Sequence, residues 1–90
     1  MKIFCVYFDL NEPDLQLDVI TNYLNHFNAG VSVGTRAWFV KSTKAPEQIR
    51  DEISILPMPP GFQVLVFEMG SKWTTYSIRD EVTSWMGKHM

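Results

Sequence analysis

Apolar and polar positions alternate with the two-residue period of β-strands in four stretches of the chain. The first stretch is the clearest, because both of its alternating sets are apolar until Asp9 interrupts them. A strand that is apolar on both sides is expected at the centre of a sheet. The predicted strands cover residues 2–10, 31–33, 36–41 and 62–69.

Three other stretches place apolar residues three or four positions apart, which aligns them on one side of a helix. Asp14 is the expected N-cap of the first helix, and Pro46 suits the first turn of the second because a proline there loses no hydrogen bond. Ser77 precedes Asp80 by three residues, a spacing that resembles a capping box for the third. The predicted helices cover residues 15–28, 46–56 and 78–87.

The order of these elements is β-α-β-β-α-β followed by one additional helix. Two split β-α-β units of this kind are typical of the ferredoxin-like α+β fold, which has a four-stranded antiparallel sheet. Right-handed crossovers place the first two helices on one face of that sheet. We therefore expect a single ferredoxin-like domain over 1–90, with its core in 2–70 and a C-terminal helix at about 78–87.

The sheet face that those two helices leave open is predicted to be apolar. It contains Cys5, Tyr7, one of Trp38 or Phe39, and either Val64 with Val66 or Leu65 with Phe67. An apolar surface of this size marks a contact. The C-terminal helix is one possible cover, through Ile78, Val82 and Trp85, and the sheet of a second chain is the other. We favour the homodimer, because one short helix covers only part of such a sheet.

Composition and charge narrow the classes of function. Hydrophobic residues make up 46% of the chain and charged residues 20%, the balance of a folded domain. The single cysteine, Cys5, excludes an intramolecular disulfide, and no apolar run reaches the roughly 18 residues of a membrane span, so we expect a cytoplasmic protein. The net charge is −2, and nucleic-acid binding requires that a dimer align Arg36, Lys41 and Lys44.

Asp9 is the most prominent candidate for chemistry, because it ends an apolar strand. Glu12 and Asp14 follow in the same turn, and oxygen ligands of this type hold hard cations such as Mg²⁺. A turn-capping role is the competing interpretation, which we favour. Since the chain has no nucleophile motif and no phosphate-binding glycine loop, we expect no catalytic residue and no cofactor, with Asp9 and Mg²⁺ as the alternative.

Aromatic side chains are the candidates for contacts with other molecules. Trp73 follows Lys72 in a loop, where it either anchors a partner or closes one end of the core. Both interpretations of Trp73 stay open. The predicted interaction residues are Tyr7, Trp38, Trp73 and Trp85.

Three segments resemble the Cas-two-like proteins, and most closely their SinR-like branch. They read VYFDLN at 6–11, AWFVKS at 37–42 with EQIRDEI at 47–53, and VLVFEMG at 64–70 followed by Lys72 and Trp73. The resemblance implies a ferredoxin-like fold and a homodimer packed through its sheets. In that family the strand-end aspartates of two subunits approach each other and have been assigned an Mg²⁺-dependent nuclease role, and Asp9 matches that position. SinR-like proteins look like accessory genes of bacteria, phages and mobile elements, which suggests host–phage conflict (anti-defence).

The leading hypothesis is a non-enzymatic, homodimeric protein-interaction module, of phage or mobile-element type, that acts on a host protein. The apolar second face, the acidic residues on the predicted helices and the missing catalytic set support it. One alternative is an Mg²⁺-dependent endonuclease that acts on RNA or DNA through Asp9 of two subunits. The other is a protein that binds nucleic acid without cleaving it. No contact with a membrane is expected.

Overall fold

The four alternating stretches form strands, and backbone hydrogen bonds join them into one antiparallel sheet. The computed structural model describes residues 1–70, 72–74, 76 and 78–90. The strands are β1 (Lys2–Asp9), β2 (Ala29–Val33), β3 (Ala37–Ser42) and β4 (Gln63–Glu68); the helices are α1 (Pro13–Leu24), α2 (Pro46–Ser54) and α3 (Asp80–His89). The strands lie in the order β2-β3-β1-β4. This arrangement confirms the predicted ferredoxin-like α+β fold with its additional C-terminal helix.

The core lies between one face of the sheet and the helices α1 and α2. It forms because the even-numbered side chains of β1 point to this face and meet the apolar sides of both helices. The buried cluster consists of Phe4, Val6, Phe8, Ile20, Leu24, Val40, Ile49 and Ile53. Full burial of each such side chain contributes about 1.5–3 kcal/mol, which makes this face the main source of stability.

The start of α1 is held by a buried glutamine that the helical pattern does not predict. Glu12, and not Asp14, occupies the N-cap position, and its side chain makes no capping hydrogen bond. Instead, the backbone N–H of Glu12 donates to Gln16 Oε1 at 2.9 Å. Gln16 Nε2 donates to Asn11 Oδ1 and to the Pro59 carbonyl, both at 2.8 Å. Gln16 thus joins the turn after β1 to the proline-rich loop before β4.

The end of α1 comes earlier than predicted, at Leu24 instead of residue 28. The backbone amides of His26 and Phe27 donate to carbonyls three residues back, which is the tighter 3₁₀ pattern. The chain therefore turns sooner, and β2 begins at Ala29.

The third helix, α3, packs on the sheet face opposite the core. Its buried residues are Val82 and Met86, and the ring centroid of Trp85 lies 6.3 Å from that of Phe39 on β3. The helix begins after Arg79, and the predicted cap residue Ser77 lies outside the described residues. Within the described part of the chain, every helix is too short or too polar to cross a bilayer.

Candidate interaction surface

The face of the sheet opposite the core, here called the second face, has one part under α3 and one part open. Residues that pair directly across neighbouring strands point to the same side, so the register assigns this face. It consists of Ile3, Cys5 and Tyr7 on β1, Ala37, Phe39 and Lys41 on β3, and Leu65 and Phe67 on β4, with the odd-numbered residues of β2.

Side chains along α3 hold it on the covered part. At its start, Arg79 Nη2 donates to the Ser32 carbonyl at 2.6 Å and contacts Ser32 Oγ at 3.0 Å. Further along the helix, the ring of Trp85 packs against that of Phe39 on β3, with the centroids 6.3 Å apart. Ile3 and Cys5 are each only 8% exposed on this side of β1. The predicted cover of the sheet by the chain's own helix is therefore present over β2, β3 and part of β1.

The open part belongs to β4 and the end of β1. Leu65 is 55% exposed and Phe67 46%, and Leu65 pairs directly with the half-buried Tyr7. We call Tyr7, Leu65 and Phe67 the β4 strip. Large apolar side chains that lie together in solvent indicate a contact surface.

Beside the strip, the outer edge of β4 presents unpaired backbone groups. The N–H of Met69 donates to the Ile3 carbonyl at 2.8 Å, which fixes which residues face β1. Because antiparallel strands alternate in this respect, Val64, Val66 and Glu68 direct their N–H and C=O groups away from the sheet. Among the described residues no strand pairs with this edge. An open, apolar edge of this kind is a template for another strand.

The four predicted interaction residues lie in different surroundings. Tyr7 belongs to the β4 strip, whereas Trp85 packs against Phe39 within the chain. Trp38 lies on the core face, where it packs against the core cluster, because it pairs with Val6 and leaves the second-face position to Phe39. Trp73, 40% exposed, lies in the connection between β4 and α3.

Asp9 is exposed at the end of β1, directly opposite Gln63. It lines a cavity of about 230 Å³ together with Thr35 and Arg36. Within residues 1–70, 72–74, 76 and 78–90, no three His, Cys, Asp or Glu side chains form a group able to hold a metal ion. Asp9, Glu12 and Asp14, the three carboxylates that the sequence places in this turn, therefore do not come together as a ligand set in the described structure.

Cys5 is a buried thiol on the second face. Burial raises the pKa of this thiol above its usual value, which lowers the thiolate fraction at neutral pH. Its cross-strand neighbours are Phe39 and Phe67, both apolar. This environment suits packing and does not activate a nucleophile.

No protein-family model, curated protein or solved structure matches the chain. The exposed apolar residues of the open part that the sequence did not single out are Leu65 and Phe67, which alternation alone left as one of two possible pairs on β4. The register with β1 decides in their favour.

Proposed function

We propose that the chain is a non-enzymatic protein-interaction module that works as a homodimer, with β4 as the contact between its subunits. The observation that carries the proposal is the half-exposed pair Leu65 and Phe67 on an edge strand with an unpaired backbone. Each 100 Å² of apolar surface that a partner covers contributes about 2.5 kcal/mol. A second β4 satisfies the backbone groups at the same time.

The exposed side chains of β4 match those of a second β4 when Val66 pairs with Val66 of the partner subunit across the two-fold axis. Antiparallel pairing about this residue sets Leu65 opposite Phe67 of the partner subunit, so the exposed side chains cover each other. The outward backbone groups of Val66 then bond to the same groups of the partner. A register shifted to centre on Leu65 pairs Phe67 with the polar Gln63. The two sheets would join into one sheet of eight strands.

This dimer has a surface that suits a further protein. A two-fold axis perpendicular to the sheet keeps both second faces, and therefore both α3 helices, on one side. The two β4 strips then form the apolar floor of a trough between the helices. The resemblance to SinR-like proteins supports a phage or mobile-element protein that uses such a surface on a host protein.

The same geometry separates the two Asp9 residues. Asp9 pairs with Gln63, three residues along β4 from Val66 and one strand further from the axis. With a rise of 3.4 Å per residue and strands 4.8 Å apart, the two Asp9 positions are about 25 Å apart. Carboxylates that share one Mg²⁺ each approach it to about 2 Å. The alternative nuclease, which needs paired Asp9 residues, therefore requires a different dimer.

Size-exclusion chromatography with light scattering tests the dimer. The expected mass at micromolar concentration is twice the 10.4 kDa of the chain. Phe67→Arg is expected to give a monomer, because the interface would bury two unpaired charges. Leu15→Arg is the matched control, since Leu15 is an exposed apolar residue on α1 and its variant should remain dimeric. A monomeric parent protein would overturn the proposal.

Cysteine cross-linking in a Cys5→Ala background tests the register. Leu65→Cys combined with Phe67→Cys is expected to form a disulfide-linked dimer, because these positions face each other across the axis in non-hydrogen-bonded pairs with Cα atoms about 4.5 Å apart. Leu65→Cys alone should not, since the two copies of residue 65 are separated by about 8 Å. A disulfide-linked dimer of Leu65→Cys alone would overturn this register. Mg²⁺-dependent cleavage of RNA or DNA that Asp9→Asn abolishes would favour the nuclease.

A further inference from the structure

The outer edge of β2 is the counterpart of the β4 edge at the other end of the sheet. The backbone N–H of Phe8 donates to the Arg36 carbonyl at 2.8 Å, so the even-numbered residues of β3 direct their backbone groups towards β1. The odd-numbered residues of β3, such as Phe39, therefore bond to β2. In β2 this alternation directs the backbone groups of Gly30 and Ser32 away from the sheet. The sheet thus has a second edge at which another strand can add.

The side chains beside this edge favour such an addition. Ala29, Val31 and Val33 lie on the second face, where each is only half-buried. An edge strand with apolar side chains and unpaired backbone groups is a template for pairing, and proteins commonly block it with a charged side chain, a helix or a loop. The edge of β2 is therefore expected to carry a block of this kind.

Arg79 supplies a charged side chain at this edge. Its Nη2 donates to the outward Ser32 carbonyl at 2.6 Å and lies 3.0 Å from Ser32 Oγ. Among the described residues, this is the one hydrogen bond made to the outward backbone groups of Gly30 and Ser32. The acceptor that an added strand needs is therefore already occupied.

The first turn of α3 fixes the position of Arg79. The backbone N–H groups of Val82 and Thr83 donate to the Arg79 carbonyl at 3.0 and 3.3 Å. Nη1 of the same guanidinium lies 2.8 Å from Glu81 Oε1, and the Arg79 side chain is 53% exposed. A strand that paired with β2 would have to break the bonds to Ser32 and remove this charge from water, and both steps are unfavourable.

The β4 edge has no comparable block. Within the described part of the chain, no side chain donates to the outward carbonyls of Val64, Val66 or Glu68. Arg79 lies beside β2, at the opposite end of the strand order from β4, so it cannot reach that edge. The two edges of the sheet therefore differ in one charged contact.

We propose that Arg79 closes the β2 edge to a second copy of this chain, so that strands add only at β4 and assembly stops at two subunits. Two-fold pairing at β4 alone gives a closed dimer. Two-fold pairing at both edges would join dimer to dimer into an open-ended sheet. The limit of two subunits rests on the proposed dimer, whereas the closure of β2 is a property of each chain.

Light scattering of Arg79→Ala after size-exclusion chromatography tests the closure. The variant is expected to form species larger than a dimer, with a mass that grows with protein concentration. Pairing at β2 should tighten at least about tenfold, because hydrogen bonds to a charged group no longer have to be broken. In Phe67→Arg, which lacks the β4 contact, the addition of Arg79→Ala should convert a monomer into a dimer.

Gly30→Pro identifies the edge at which Arg79→Ala associates. Proline removes the outward N–H of residue 30 and places its ring on the outer side of β2, which prevents pairing there. A Cβ at this position lies 3.5 Å from its nearest neighbours on Trp38, Phe39 and Val40, so the fold accepts the side chain. Adding Gly30→Pro to Arg79→Ala should restore the mass of the parent.

Glu81→Gln is the matched control, because it removes the ion pair on α3 and leaves the Arg79–Ser32 hydrogen bonds in place. Its mass should equal that of the parent. Arg79→Ala with the mass of the parent would overturn the closure of β2. Association that Gly30→Pro does not reverse would also overturn it, because a loosened α3 would then be the cause. A monomeric parent would instead overturn the proposed β4 dimer, and Arg79→Ala should then form a dimer through β2 alone.

Discussion

The two parts of the second face have similar side chains and different surroundings. Ile3 and Cys5, under α3, are 8% exposed, whereas Leu65 and Phe67 on β4 are about half exposed. Dimensions explain the difference, because a helix is about 10 Å wide and strands lie about 4.8 Å apart. One helix therefore shields about two strands, and α3 lies nearest β2, at the edge opposite β4. An apolar sheet face is therefore not open over its whole area, and in this chain the part beyond the helix is the one exposed to solvent.

The two parts should also differ in how they respond to protein concentration. Contacts under α3 form within one chain and contribute to stability at any concentration. In the proposed dimer the exposed surface of the β4 strip makes further contacts with a second molecule, and the contribution of those contacts grows with the amount of that molecule. Substitutions in each part therefore separate folding from association.

The largest expected effect is on the covered part. Met86→Ala should lower the free energy of unfolding by about 2–5 kcal/mol, because it leaves a cavity between α3 and the sheet. Leu65→Ala should lower it by less than about 1 kcal/mol at concentrations where the chain is monomeric, since Leu65 is already 55% exposed. Urea denaturation of both variants measures the two values. Equal losses would show that the open part also belongs to the folded monomer.

The thiol of Cys5 gives a smaller and more local measure of how firmly α3 is held. It is buried on the second face, so a thiol reagent such as DTNB reaches it only when the cover opens. Arg79→Ala removes the hydrogen bonds to Ser32, and a loss of about 1 kcal/mol should speed the reaction about fivefold.

Arg50→Ala is the control for that measurement, because Arg50 contacts Asp51 on α2, on the other side of the sheet. Its reaction rate should equal that of the parent. An unchanged rate in Arg79→Ala would mean that the Arg79–Ser32 contact does not hold the helix on the sheet.

The fold could be predicted because the period of the apolar residues changes cleanly between strands and helices. The sequence could not predict to which side of the sheet each residue of β4 points, since Val64 and Val66 are apolar and so are Leu65 and Phe67. The same ambiguity on β3 led to Trp38 as an interaction residue in place of Phe39. The sequence did contain one hint, because Lys2 and Glu68 carry opposite charges at even-numbered positions of β1 and β4. They pair at 3.3 Å, in agreement with the register that places the even-numbered residues of β4 on the core face.

The basic residues Arg36, Lys41 and Lys44 do not come together within one chain. Arg36 precedes β3 and Lys44 follows it, so the length of that strand separates them. Lys41 lies on the second face, whereas Lys44 pairs with Glu52 on the core side.

The smallest expected effect is a dependence of stability on pH that comes from Glu52 on α2. Substitutions in either part of the second face should leave it unchanged. Hydrogen bonds from Lys44 and then Tyr23 lower the pKa of Glu52 in the folded chain. A lowered folded pKa stabilises the fold fully above the unfolded value of about 4.3, and this contribution is lost as the pH falls through the folded pKa.

Since Glu52 and Lys44 are partly exposed, the contribution of their pair should stay below about 1 kcal/mol. Urea denaturation at pH 7 and pH 3 should show it in the parent and not in Glu52→Gln, with Glu47→Gln as the control from the same helix. The pair lies on the α2 side of the sheet, so Met86→Ala and Leu65→Ala should retain the same pH dependence as the parent. A pH dependence that is lost in Met86→Ala would mean that α3 and the core-side helices do not respond independently. The covered and open parts of the second face would then not contribute separately to the free energy of unfolding.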